Sequence, residues 1–370
     1  MAQDLKYWVA FNHVPNLGAV RYRALESHFP DLEHAWRAPF GELRAAGLDE
    51  SVARTIVTHR DSISPDGVME KLEKCGGYAL NWHDPQYPAK LAEIYDPSPV
   101  LYVRGSLEAS DERSLAVVGT RKATAYGKEA ASILCRDLAS HGVAVVSGLA
   151  RGIDSIAHRA AIDASGRTIA VLGTGVDTIY PPEHSMLAKD IIEHGALVSE
   201  YPLGTSPKAQ HFPQRNRIIS GMTLGTLVIE AGDRSGALIT VSHALEQGRD
   251  VFCVPGNIFS PTSRGTNALI QEGAKAVVSY TDILEELNLN AVAFQMEMRG
   301  LAQPDNEDEA RILGHVTHEP LHIDELGRLS DLPIHMVTSV LAMMELKGLV
   351  KQVGGMHYTR VSEAARQYGN

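Results

Sequence analysis

Between residues 115 and 279, short apolar runs alternate with glycine-bearing turns and segments of helical period. The runs at 115–118, 143–146, 168–172, 197–200, 227–231, 250–254 and 276–279 show little polar alternation. Strands of that kind are buried on both faces, which requires a mostly parallel sheet with helices packed on each side. The expected fold class is therefore α/β, an extended Rossmann-like sheet. Glycine loops at Gly119, Gly148, Gly173, 232–236 and Gly256 each follow a strand. They should gather along the carboxyl edge of the sheet, where ligands of such folds bind.

The flanks read differently. Residues 1–75 suggest short helices, with an apolar stripe at 5–11, a break at Val14-Pro15-Asn16-Leu17-Gly18 and a resumption at 19–29. Helix, tight turn and helix resemble a helix-hairpin-helix (SAM-like) unit, whose turn amides can hold a DNA phosphate. The other reading is a purely structural helical cap. Strands at 78–82 and 100–103, separated by Pro85, Pro88, Pro97 and Pro99, lead into a main domain over 76–290. Residues 291–306 read as a linker. Residues 307–370 read as three helices and a hairpin with a Gly354-Gly355 turn, the outline of a winged helix. Its candidate recognition helix, from Ile334, carries no Arg, Lys, Asn or Gln before Lys347, so an accessory or protein-contact role is expected.

Formal net charge is −11. Basic and acidic residues number 11 and 14 in 1–104, 16 and 17 in 105–280, and 7 and 14 in 281–370. A nucleic-acid binder of this composition needs a local basic patch, because its overall field repels phosphate. Cys75, Cys135 and Cys253 form no CxxC pair, which fits a reducing cytoplasm and no structural zinc. The first residues lack a signal peptide's basic start and apolar run, and no segment is apolar enough to insert in a membrane. There is no Walker A spacing, no GxGxxG and no GxSxG, so no nucleotide cofactor or hydrolytic activity is implied. Asp154 and His158 lie four apart on a helix, but without further ligands they read as packed rather than metal-binding.

What remains is cationic. Gly119-Thr120-Arg121-Lys122, Ser147-Gly148-Leu149-Ala150-Arg151 and the stretch from Lys208 to Arg217 each set cations beside loop amides, a chemistry suited to phosphate. In His211-Phe212-Pro213-Gln214-Arg215-Asn216-Arg217, Pro213 should keep Phe212 extended, leaving Arg215 and Arg217 on a surface loop before a helix or buried turn that starts at Arg217-Ile218-Ile219; were the helix to start at Asn216, the two arginines would diverge. Of the two, Arg217 is expected to be the more buried. Phe212 adds a face on which a base can stack. Phosphate donors beside an aromatic face suit a single strand. The competing readings are a mononucleotide pocket, or a solvated loop with salt-bridged arginines.

These residues resemble the DNA-processing protein A family (DprA, also called Smf), a competence factor of bacterial transformation. The matching stretches include Gly119-Thr120-Arg121, the run from Val146 to Asp154 with His158, and Leu172-Gly173-Thr174-Gly175. They continue with Ser199-Glu200-Tyr201-Pro202, Phe212-Pro213-Gln214-Arg215-Asn216-Arg217, Ser235-Gly236-Ala237, Val254-Pro255-Gly256 and Gly265-Thr266-Asn267. The resemblance implies a non-enzymatic protein that binds incoming single-stranded DNA, forms a homodimer and loads RecA recombinase. It implies a phosphate pocket at Gly119, Thr120, Arg121, Lys208, Phe212, Arg215 and Arg217, and a dimer interface at Asn267, Ile270 and Ala276. After Tyr180-Pro181, where some relatives carry basic residues, this chain has Pro182-Glu183-His184. The alternative is a Rossmann-type nucleotide phosphoribohydrolase, a group that carries PGGxGTxxE. Here Thr240 stands near the place of that glutamate, which an acid–base role at a glycosidic bond would need.

Overall fold

The computed structural model describes residues 2–289, 306–317, 319–346 and 349–360. It divides into two compact units, Met1–Leu287 and Asn288–Asn370.

The first unit is built on nine strands: β1 (Gly77–Asn81), β2 (Val100–Gly105), β3 (Ser114–Val118), β4 (Ala144–Ser147), β5 (Thr168–Val171), β6 (Gly195–Ser199), β7 (Gly225–Val228), β8 (Asp250–Cys253) and β9 (Lys275–Ala276). Their order is β1-β2-β6-β5-β4-β3-β7-β8-β9. β1 and β2 are antiparallel to their neighbours, and every other pairing is parallel. The expected α/β sheet is thus observed. Its strands were legible because β3 to β7 are buried along their whole length.

From β3 the chain steps outward through β4, β5 and β6, then returns to pair β7 on the other side of β3. That reversal leaves a crevice at the carboxyl ends of β3 and β7, where open α/β sheets take ligands. Ile218, Ile219 and Val241, from helices His211–Gly221 and Ala237–Glu246, pack on one face against Ala116, Val118 and Val171. On the other face, Leu187 and Ile191 pack against Ala170 and Leu197.

Six short helices precede the sheet, from Ala2–Asn12 to Pro65–Lys74. Ser64 caps the last of these by accepting from the Gly67 amide, with Pro65 in the first helical position, where its missing N–H costs nothing. Trp8, Phe11, Tyr22 and Trp36 form an aromatic core, and the Tyr22 hydroxyl donates to Trp8 O at 2.8 Å. Ala79, Val100 and Tyr102 of β1 and β2 belong to the same core. The helical layer and the sheet therefore bury their apolar surface together. The expected helix–turn–helix is present, with residues 15–18 between Ala2–Asn12 and Ala19–His28.

The second unit contains helices Glu307–His315, Ile323–Ser330 and Ile334–Leu346, with β10 (Leu321–His322), β11 (Val350–Gln352) and β12 (His357–Arg360). The strands pair antiparallel in the order β10-β12-β11. Ile312, Leu326, Val337, Leu341 and Tyr358 fill its core. This is a winged helix, as expected. β10 escaped the sequence reading because two residues carry no periodicity. The linker expected at 291–306 lies almost wholly outside the described residues, as do Lys347 and Gly348.

Candidate nucleic-acid interface

The stretch expected as a loop is a helix, His211–Gly221. Pro213 is its third residue, where a backbone N–H has no partner within the helix, so proline removes no bond. The bias that proline places on Phe212 is outweighed by packing at the helix start. The His211 ring stacks on Tyr201 with centroids 4.2 Å apart, and its Nδ1 lies 3.1 Å from Gly173 O.

Helical geometry separates the two arginines. Residues two apart on a helix point about 200° from one another. Arg215 turns inward and is 4% exposed. Its Nη1 donates to Gly148 O at 2.8 Å and also to Val171 O. Burial lowers its pKa to about 10. Gly148 is required beside it, since a Cβ there would collide with the guanidinium. Arg217 turns outward to Glu200, donating to Oε1 at 2.8 Å and Oε2 at 2.7 Å, with Asp96 Oδ2 3.3 Å from Nε. The expected order of burial is therefore reversed: Arg215, not Arg217, bonds the loop carbonyls.

A cavity of about 660 Å³ fills the crevice between β3 and β7. Gly119, Thr120 and Arg121 form its β3 side, and Phe212 and Arg215 the side of the His211–Gly221 helix. Arg121 is exposed, with its guanidinium carbon 5.9 Å from the Phe212 ring centroid, a cation–π arrangement. Tyr180 extends the aromatic surface, its ring 5.5 Å from that of Phe212. Three helices, Ile153–Asp163, His211–Gly221 and Ala237–Glu246, begin at the cavity and contribute lining residues from their first turns. Helix N-termini carry partial positive charge. The site is thus electropositive with one exposed guanidinium on an otherwise acidic chain.

Asp154 sits at the floor. Its Oδ2 accepts from the Gly148 and Ala150 amides at 3.2 and 3.3 Å. Burial raises its pKa, against the opposing pull of Arg215 and of the amides. His158 is fully buried and does not line the cavity. The Thr168 hydroxyl donates to Val145 O at 2.8 Å, so it must accept from His158 Nδ1–H, 2.7 Å away. Burial pushes the imidazole pKa down to about 3, and the ring is neutral and structural.

Of the seven residues expected at the pocket, five meet there: Gly119, Thr120, Arg121, Phe212 and Arg215. Lys208 and Arg217 line a neighbouring cleft instead. Tyr180 and Asp154 belong to the site although the sequence pattern gave neither a binding role. The run Tyr180-Pro181 stood out only for the residues that follow it. Of those, Glu183 accepts from Arg151 Nε at 2.5 Å, and His184 Nδ1 lies 2.9 Å from Leu149 O. Thr240 does line the cavity, and among the described residues Asp154 is the one carboxylate that does so.

The residues expected at a dimer interface lie at the far edge of the sheet. The Asn267 side-chain amide is committed in both directions to Gly256, with two bonds of 3.1 Å. Ile270 is half-buried against the sheet core, and Ala276 is exposed on β9.

A switch-point cavity offering an exposed guanidinium, an aromatic face and converging helix N-termini marks a Rossmann-like protein whose crevice has the chemistry to suit an anion beside a planar ring. The chain belongs to the DNA recombination-mediator protein A family, whose sequence pattern residues 79–288 match, while 296–356 match the DprA winged helix domain. It is 35% identical to protein Smf of Synechocystis over 96% of this chain and 98% of the relative. It is 49% identical to DNA processing protein DprA of Bacillus subtilis over 55% of this chain and 68% of that one. The crystal structure of DNA processing protein A from Streptococcus pneumoniae superposes with a TM-score of 0.65 at 35% identity, covering 76% of this chain and 96% of that chain. The DNA processing protein A structure from Helicobacter pylori, which addresses a single-stranded DNA binding mode, gives 0.53 at 27% identity over 58% and 96%.

Proposed function

We propose that the switch-point cavity binds single-stranded DNA, with a phosphate held by Arg121 and the converging helix N-termini and a base stacked on Phe212. The observation that carries this reading is the Arg121–Phe212 pair at the mouth of the crevice. A guanidinium over a ring serves a phosphate and a neighbouring base at once, and it does so without regard to sequence. The Helicobacter pylori relative, studied for its single-stranded DNA binding mode, supports the same reading. Among the described residues a single carboxylate lines the cavity, Asp154, and its Oδ2 is held by two backbone amides, which favours binding over hydrolysis.

Beyond binding, the proposed role is recombination mediation. A homodimer protects the incoming strand and loads RecA recombinase onto it during natural transformation. Asn267, Ile270 and Ala276 are the proposed dimer edge.

Binding is tested by titrating a single-stranded oligonucleotide at several salt concentrations. Arg121→Ala should weaken binding to all sequences and lower the slope of log K against log salt by about 0.7 for each phosphate no longer neutralised. Phe212→Ala should cost roughly 1–3 kcal/mol with little change in slope, because stacking releases no counterions. If both variants, shown folded by circular dichroism, bind as the wild type does, the cavity is not the DNA site.

A further inference from the structure

We propose that the bound strand does not end in the switch-point cavity but crosses the ridge of residues 207–210 into the cleft between that ridge and the turn at 15–18 of the helical layer. The inference rests on the single-strand reading above and extends it to a second subsite.

The ridge is shared by two cavities. Pro207 and Ala209 line the first, Lys208 and Gln210 line the second, and Pro213 is a wall of both. The second cleft is the larger, at about 920 Å³, and the turn residues Asn16 and Gly18 form its far wall. A strand leaving Phe212 over this ridge passes Lys208 at once.

Each arginine of the cleft is held by carboxylates, Arg217 by two of them, whereas Lys208 is not. Arg217 is held by Glu200 and Asp96, and Arg21 by Asp49 at 2.8 Å. Lys208 is exposed and, among the described residues, has no ion-pair partner. Its ammonium is thus the cation left for a phosphate. Neutral amides, Asn16, Gln210 and Gln214, add polar surface. Side-chain amides both donate and accept, so they meet the edges of any base. This arrangement accounts for a lysine of the expected phosphate site standing outside the first cavity. It also gives the helical layer a part in binding.

The test compares oligothymidylates of about 4 and about 16 nucleotides, the range of single-strand site sizes, on the full chain. The wild type should bind the longer one more tightly. Lys208→Ala should lower the salt slope for the longer strand by about 0.7 and leave that of the shorter unchanged. The double variant Asn16→Glu, Gln210→Glu places two carboxylates in the cleft at exposed positions. It should weaken the longer strand about tenfold and the shorter less than about twofold, through like-charge repulsion. Equal effects on both lengths, or no effect on the longer, overturn the second subsite. Phe212→Ala separates the two ideas. If it leaves both lengths unaffected, the single-strand reading of the first cavity fails. If it weakens both while the cleft variants do nothing, only the extension fails.

Discussion

Arg215 and Arg217 show how one residue type divides its labour within a single helix. The sequence placed both beside a phosphate, and only the helical register separates them. Arg215 spends its donors on the carbonyls of Gly148 and Val171, tying the loop after β4 to the end of β5. Arg121, exposed above Phe212, is the cation available to a ligand in that cavity. Arg215→Ala should therefore act mainly on stability. It strands two buried acceptors and opens space in the core, at a cost of roughly 2–4 kcal/mol in denaturant unfolding. Arg121→Ala should change the same stability by less than about 0.5 kcal/mol, since exposed side chains rarely contribute more. Equal stability of the Arg215→Ala variant and wild type would mean that the buried guanidinium is dispensable to the fold. The sequence left this distinction to the position of the helix start, which lies earlier, at His211, than the expected one. It shows that arginines are present, but whether positions two apart share a face depends on the helix, and Pro213 pointed away from one.

At the scale of elements, legibility followed burial. The strands stood out because both faces are covered, and the winged helix because its helices alternate apolar and polar surfaces. The helix His211–Gly221 did not, because proline is read as a breaker although the first turn tolerates it. The far edge of the sheet is the least covered part of the first unit's strand order. β9 has two residues, both exposed, and Val278 beyond it is 82% exposed. An unpaired sheet edge invites pairing with a second copy about a two-fold axis. Asn267 ties the adjoining helix Arg264–Gln271 to Gly256, and Ile270, half-buried against its own sheet, is the residue a second copy would meet in the proposed dimer. Ile270→Glu should give a folded monomer in sedimentation velocity. An intact dimer would move the interface elsewhere, and a lost melting transition would show that Ile270 serves its own core.

For the whole molecule, the distribution of charge bears on which unit a phosphate can approach. The first unit concentrates helix N-termini and an exposed guanidinium at one crevice, which an acidic chain needs if phosphate is to approach at all. The second unit lies in a region with 7 basic and 14 acidic residues. Helix Ile334–Leu346 buries Val337, Leu341 and Met344. It exposes His335, Thr338, Ser339, Ala342, Met343 and Glu345, among which no arginine, lysine, asparagine or glutamine can read a base edge. Leu329, Ile334 and Met343 are each about half exposed, at 49%, 47% and 51%. Such a surface suits a protein contact better than a major groove. The unit has its own core, so a fragment of residues 306–370 can be studied alone. It should show no preference among duplexes of different sequence and at most weak binding at low salt. Removing it from the full chain should leave single-strand affinity within about twofold, because the phosphate contacts proposed for that strand belong to the first unit. Sequence-selective duplex binding by the fragment, or a large loss of single-strand affinity on its removal, would return the winged helix to the DNA-binding surface.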